Sequence, residues 1–397
     1  MRVFFSAGDP SGDQHAAHVI HALRRLQPDV QACGLGGPAM RAAGCDLLAQ
    51  LTDCAVMGFF RVLPLLHKFY RLYRRAEHHF RRTPPDVVVL VDFPGFNWWV
   101  ARAAHRHGIP VVYYLPPQLW AWAGWRVRRM HRHVTRVLSG LEFETDWYHQ
   151  RGVDARFVGH PFFDHVAETP LDPAFRSVWR TDALRNVALL PGSRRQEVLA
   201  NWPTLQAAAE ALHRRFPDTR FLVACYRNEH RRHCEARYLQ TAASLPIHFF
   251  TNKTPEILDA CTCAIQVSGS VSLELLARRK PAVVTYRVNR LYHWVGRQVI
   301  RCRFLSLPNL MLDEELYPEV LIGGDFRPHV PRIVEPIARW LSDPAALTEV
   351  TTRIDALASH AARPGASLRA AEQILDVAGV PAAGQRSDGM LRRRTGG

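Results

Sequence analysis

Residues 86–97 read Asp86-Val87-Val88-Val89-Leu90-Val91-Asp92-Phe93-Pro94-Gly95-Phe96-Asn97. The stretch Asp86–Asp92, apolar between its two end acids, has no polar face to offer to water, so it predicts a strand buried on both sides, as in a parallel sheet covered by helices. Pro94 and Gly95 punctuate its end, and Asp92 falls where the strand hands over to a helix. In a doubly wound sheet that carboxyl edge is where ligands bind. A carboxylate there, partly withdrawn from water, suits a general base, and its alternative role is to cap the next helix. Asp92 is the candidate catalytic residue.

The same pattern extends on both sides. Val3–Ser6 predicts a first strand and Gln14–Leu26 the helix behind it, while Val111–Leu115 and Val134–Ser139 predict further strands. The turn Ala7-Gly8-Asp9-Pro10-Ser11-Gly12-Asp13 lies at the same edge as Asp92. Gly8 and Gly12 let a ligand approach the backbone, and Ser11 and Asp13 can cap the helix, which is also the plainer explanation of their presence. No Gly-Lys-Ser/Thr follows and the glycine spacing is not a dinucleotide fingerprint, so ATP and NAD are disfavoured.

Between Asp164 and Arg185 periodicity lapses and Pro, Asp and Glu accumulate, which predicts an interdomain crossing near residue 175. The domains are expected at 1–175 and 176–364, with a helix around 365–378 packing back on the first and a disordered tail over 380–397. The second series has strands at Val187–Leu190, Arg220–Ala224, Ala264–Val267 and Pro281–Tyr286 and a helix at Gln196–Phe216. The fold class is α/β, two Rossmann-like parallel-sheet domains facing a central cleft.

Two strand-to-helix turns in the second domain carry anion chemistry. Leu190-Pro191-Gly192-Ser193-Arg194, followed by Glu197, offers backbone N–H groups at a helix start and a guanidinium fork for phosphate oxygens. Ser268-Gly269-Ser270-Val271-Ser272-Leu273-Glu274 repeats the design, with Glu274 one turn inside, where it can hold a ribose hydroxyl pair. Either turn alone is an anion site. Together, with no Walker or dinucleotide motif, they point to a sugar-nucleotide diphosphate. No Asp-x-Asp is present to carry a divalent ion, so neither metal nor cofactor is expected, and the leaving diphosphate falls to helix ends and Arg194.

Of the 397 residues, 47% are apolar and 22% charged, a soluble globular balance. The 51 Lys and Arg exceed the 36 Asp and Glu, a formal charge of +15, so an anionic partner is expected, although an Arg-rich composition without one gives the same number. Residues 62–82 interleave Leu63, Phe69, Tyr70 and Tyr73 with Lys68, Arg71, Arg74 and Arg75. This is a basic amphipathic helix, readable as a surface for anionic lipid or as a core-facing helix with a solvated basic face. No apolar run reaches the roughly 18 residues of a membrane span, and the 8 Cys show no paired metal-ligand spacing. A cytoplasmic protein is expected.

Taken in order, these blocks resemble the lipid-A-disaccharide synthase family, bacterial glycosyltransferases of the two-Rossmann GT-B type. The likeness runs to about residue 376 and includes Gly8–Asp13, Gly36-Gly37-Pro38 with Met40 and Gly44, Val56-Met57-Gly58, Asp92–Asn97, Trp120-Ala121-Trp122, Phe157–Pro161, Leu190–Arg194, Ser268–Glu274 and Leu307–Leu310. The resemblance implies inverting transfer of 2,3-diacylglucosamine from its UDP form to 2,3-diacylglucosamine 1-phosphate, giving the β-1,6 lipid A disaccharide and UDP. It puts Asp92 at the base. It assigns Asp9, Ser11, Gly12, Asp13, Met57, Asn97, Trp120 and Trp122 to the acceptor region. Gly192, Ser193, Arg194, Glu197, Ser268, Gly269, Ser270, Glu274 and Asn309 are assigned to UDP. It also implies peripheral attachment to the anionic inner leaflet, no nucleic acid, and compatibility with a homo-oligomer. Three positions depart from the family pattern: Asp9 for Glu, Gly95 for a second acid, and Pro117-Gln118-Leu119 for Ser-x-Val. The alternatives are another GT-B enzyme, a UDP-sugar epimerase, and a nucleic-acid-binding protein built on the Arg-rich stretch 126–136.

Overall fold

The computed structural model describes residues 1–52, 66–180, 184–241, 244–267, 269–288 and 302–380. Met57 and the block around it, residues 62–65 of the basic stretch, Ser268 and the tail from Pro381 lie outside the described residues. The chain divides into two compact units, Met1–Pro161 together with the segment from Gly365, and Phe162–Pro364.

The first unit is built on seven parallel strands: β1 (Arg2–Ala7), β2 (Gln31–Gly36), β3 (Asp46–Gln50), β4 (Val87–Val91), β5 (Val111–Tyr114), β6 (Arg136–Ser139) and β7 (Ala155–Phe157), in the order β3-β2-β1-β4-β5-β6-β7. Because side chains alternate along a strand, Val3, Phe5, Val87 and Val89 enter one core with the helix Pro10–Leu26, while Phe4, Val88 and Leu90 enter another with the helices Leu66–Arg82 and Pro94–Arg106. The helix Ala366–Val377 returns to this unit, burying Ala370, Ala371, Ile374 and Leu375 in the first core. Arg136 fixes it from β6 by a 2.5 Å bond to Asp376 and a 3.1 Å bond to Gln373.

The second unit has six parallel strands: β8 (Arg185–Leu190), β9 (Thr219–Cys225), β10 (Ile247–Thr251), β11 (Cys263–Val267), β12 (Ala282–Val288) and β13 (Glu319–Gly323), in the order β10-β9-β8-β11-β12-β13. Val187 and Leu189 face the helices Arg195–Arg215 and Val330–Ser342; Ala188 and Leu190 face Thr254–Ala260, Val271–Ala277 and Pro344–Ala361.

The division falls at Pro161 and not near residue 175. The helices Phe162–Glu168 and Pro173–Trp179 belong to the second unit, because Phe163 and Phe175 are buried in its core. Lys253 reaches Asp172 at 2.7 Å and Arg176 reaches Asp259 at 2.8 Å. Two short helices interrupted by Pro, Asp and Glu look like a linker in sequence and gain their place from these tertiary partners.

In both sheets the strand order reverses direction once, between β1 and β4 and between β8 and β11. Connections leave in opposite directions there, and the carboxyl ends of the two strands open a crevice. The described residues after these four strands fall in the motif-bearing segments 8–13, 92–97, 191–194 and 269–270.

The basic helix Leu66–Arg82 combines both faces expected of it. Leu72, Ala76 and Phe80, at helical spacing, are buried, while Leu66, Tyr70 and most of the Arg side chains are exposed.

Candidate active site

At the first switch point the chain leaves β4 through two consecutive non-glycine residues in the left-handed region, Asp92 (φ 44°) and Phe93 (φ 46°). Such conformations cost about 1–3 kcal/mol each and persist where surrounding bonds impose them. Here the imposing group is Asn97. It is fully buried, its amide nitrogen donates to the carbonyls of Asp92 (2.7 Å), Ser6 (3.2 Å) and Val91 (3.3 Å), and its oxygen accepts from the Ser6 hydroxyl at 2.6 Å. The buried Tyr113 hydroxyl donates to the same Asp92 carbonyl at 2.8 Å. Asn97 thereby ties the end of β1 to the end of β4 and fixes the backbone that carries Asp92.

The Asp92 side chain reaches solvent, yet protein crowds most of its surroundings. That desolvation pushes its pKa up to about 6, and the Asp9 carboxylate adds to the rise against a backbone hydrogen bond from Phe93. Asp9 caps the helix Pro10–Leu26, accepting from Gly12 N–H at 3.3 Å and from the Ser11 hydroxyl, while its Oδ1 is buried with no partner among the described residues. An added Cβ at Gly12 would lie 2.7 Å from Asp9 Oδ1, so a larger residue there would push the capping carboxylate aside. Asp13 is buried and its carboxylate accepts three backbone N–H groups, from Gly37 (2.7 Å), Ala39 (2.8 Å) and Met40 (3.1 Å). It braces the neighbouring Gly37-Pro38 turn and has little capacity left for a ligand.

Glu144 escapes sequence reading, because an acid in the first turn of the helix Glu142–His149 looks like ordinary end-charge compensation. It is buried, accepts the Ser139 hydroxyl at 2.6 Å and the Trp120 indole N–H at 2.9 Å, and burial pushes its pKa up to about 7 despite those bonds, with the Asp92 charge adding. Trp120 is held by it and stacks edge-on against Phe143 at 5.0 Å. Trp122 is instead 52% exposed, with the Arg126 guanidinium over its ring at 4.8 Å.

At the second switch point Gly192 adopts φ 113°, and Ser193 and Arg194 are exposed. Glu197 bends back over this turn. Its Oε2 accepts the N–H groups of Ser193 (3.2 Å) and Arg194 (3.1 Å), and its Oε1 pairs with the Arg194 guanidinium at 2.9 Å. The donors that suit a phosphate are thus gathered on a carboxylate. Asn201, buried, links Glu197 to β12 by donating to the Glu197 carbonyl and accepting from Arg287 N–H, both at 2.8 Å.

Across the switch point Gly269 and Ser270 are exposed, and nothing lies within 4 Å of a Cβ built at Gly269, so the backbone is open to close approach. Glu274 is nearly buried and pairs with Arg278 at 3.0 Å; desolvation raises its pKa against that pairing. Asn309 is fully buried and uses its whole amide internally, donating to the Tyr317 carbonyl and Glu319 (both 2.8 Å) and accepting from Leu316 N–H (2.9 Å) and Tyr317 N–H (2.8 Å). It shapes the loop and does not present a free side chain. Gln266, fully buried at the end of β11 in register with Leu190, has neither amide atom partnered among the described residues.

A family model for lipid-A-disaccharide synthetase matches residues 3–330. The chain is 35% identical over 377 residues to the lipid-A-disaccharide synthase of Anaeromyxobacter dehalogenans, covering 95% of this chain and 97% of the relative. It is 34% identical to that of Myxococcus xanthus with the same coverage. Among solved structures it superposes on UDP-GlcNAc 2-epimerase from Neisseria meningitidis with a TM-score of 0.63 at 13% identity, covering 95% and 100% of the two chains. A calicheamicin glycosyltransferase superposes with a TM-score of 0.56 at 15% identity, covering 94% and 98%. At these identities the structural likenesses speak for the fold alone.

Proposed function

The chain belongs to the lipid-A-disaccharide synthase family and is a glycosyltransferase that forms the lipid A disaccharide; within that activity we propose that Asp92 is the base and that the turns 190–194 and 268–274 hold the donor's UDP. The donor is UDP-2,3-diacylglucosamine and the acceptor 2,3-diacylglucosamine 1-phosphate. The acceptor 6-hydroxyl oxygen attacks the anomeric carbon as Asp92 takes its proton, and the bond to the diphosphate breaks with its electron pair leaving on UDP. One displacement inverts the anomeric centre, so a single base is sufficient. A carboxylate with a pKa of about 6 is ionised at neutral pH yet basic enough to accept that proton.

The leaving diphosphate takes the Ser193 and Arg194 donors from Glu197, an exchange of one anion for another. Glu274 binds the ribose hydroxyls, and Asn309 acts on the nucleotide through the loop it braces. In the first unit Asp9, Ser11 and Gly12 border the acceptor, and Trp120 and Trp122 contact its sugar or acyl groups. The exposed Leu66 and Tyr70 beside Arg71, Arg74 and Arg75 support docking on the anionic inner leaflet from the cytoplasmic side.

The observation that carries this reading is the coincidence of all four motif turns with the two switch points. The test is incubation with both acylated glucosamines. A disaccharide 1-phosphate and equimolar UDP are expected; release of UDP from UDP-N-acetylglucosamine with no acyl requirement would replace this reading with an epimerase-like one.

A further inference from the structure

The helices Pro94–Arg106 and Val127–His133 of the first unit border a cleft of about 480 Å³ lined by Trp98, Trp99, Arg102, Arg129, Arg132 and His133, with Gly95 completing its wall. No carboxylate lines it, and among the described residues none of the three arginines forms an ion pair with one. Trp98 is only 7% exposed, yet among the described residues its indole N–H, which can only donate, has no acceptor. Packing like charges together is unfavourable unless something opposite in sign joins them. His133 registers this: burial lowers its pKa first, and His105, Arg132 and Arg102 lower it further.

What these walls lack is an anion with several acceptor oxygens. Guanidinium forks match phosphate oxygens pairwise, and a phosphomonoester offers three such oxygens and up to two charges. The volume is enough for a single phosphate headgroup. The Arg129 guanidinium already lies over the Trp98 ring at 5.8 Å, which aims it along the cleft wall. The cleft is also close to the chemistry, since Gly95 belongs to the Asp92 turn and Trp98 packs at 5.7 Å on Tyr113, whose hydroxyl holds the Asp92 carbonyl.

We propose that this cleft is a phosphomonoester-binding site formed by Arg102, Arg129, Arg132 and the Trp98 indole. Two sources carry that chemistry, the 1-phosphate of the acceptor and a phosphomonoester lipid headgroup; the first rests on the function proposed above.

Calorimetric titration of the full chain with glucosamine 1-phosphate tests the site without turnover. Wild type binds it and does not bind glucosamine. Arg129→Gln with Arg132→Gln weakens binding on the order of 10- to 100-fold, Trp98→Phe weakens it less, and Arg129→Lys retains part of it. These arginines are exposed, so the fold survives and thermal melts match wild type. If the acceptor is the source, its KM rises by a similar factor in the double variant while the donor KM holds. If a headgroup is the source, the variant instead loses retention on phosphatidylcholine vesicles containing phosphatidic acid. Equal binding of glucosamine 1-phosphate by wild type and double variant, or none by wild type, overturns the site. Cleft-dependent phosphate binding without turnover of acylated substrates would overturn the proposed function and leave the site standing.

Discussion

The two switch points of this chain use the same topology for opposite mechanical ends. In the first unit, the turn after β4 is strained and immobilised: two left-handed residues, a buried Asn97 bonded to both flanking strands, and a buried Tyr113 hydroxyl on the Asp92 carbonyl. In the second unit, the turn after β8 is exposed, and its donors rest on Glu197 through bonds that a competing anion can take over. In the roles proposed for them, a base needs a fixed position and a tuned pKa, and a site that binds and releases a diphosphate needs donors that change partners; rigidity at Asp92 and exchangeability at Arg194 match that proposal.

The largest expected effect separates the two. Asp92→Asn lowers single-turnover transfer by about 10²–10⁴-fold while leaving UDP affinity, read by calorimetry, unchanged; a parallel loss of UDP binding would mean the two sites are not separable. Next, Asn97→Ala leaves the buried Ser6 hydroxyl without its acceptor and the Asp92 carbonyl with the Tyr113 hydroxyl alone, and denaturant unfolding should show a loss of roughly 2–4 kcal/mol. If stability is untouched, the strained turn is not held by Asn97. Arg194→Ala removes an exposed donor, so it should weaken UDP on the order of 10- to 100-fold with little change in unfolding midpoint. A stability loss as large as that of Asn97→Ala would erase the contrast between the turns.

Much of this was legible in the sequence for a physical reason. Strands such as Val87–Val91 and Val187–Leu190 are buried on both faces and must be apolar throughout, and the turns between strand and helix must be marked by Gly, Pro, Asp or Ser. Edge and near-edge strands lack that constraint. In β2 (Gln31–Gly36) Gly34 is needed because a Cβ there would lie 2.0 Å from the Phe5 carbonyl oxygen, and the glycine breaks the apolar run. β7 has three residues and offers no pattern to read. At the candidate site, Asp92 and Arg194 stand out by position, but Glu144 and Gln266 acquire meaning only from tertiary burial. The division of roles was also hidden. Asn97, Asp13 and Asn309 fall in the motif blocks, yet their side chains are engaged with backbone and brace the candidate site instead of lining it.

The ionisation of Asp92 is the point on which the account turns, and the smallest predicted shift reads it most directly. In wild type, log(kcat/KM) for the acceptor should rise with pH up to about 6 and then level, because the base works only after losing its proton. In Asp9→Asn the neighbouring negative charge is gone, the carboxylate form of Asp92 is less opposed, and that acid limb should move to lower pH. An acid limb that stays in place when Asp9 is neutralised would contradict Asp92 as the group whose ionisation starts the reaction.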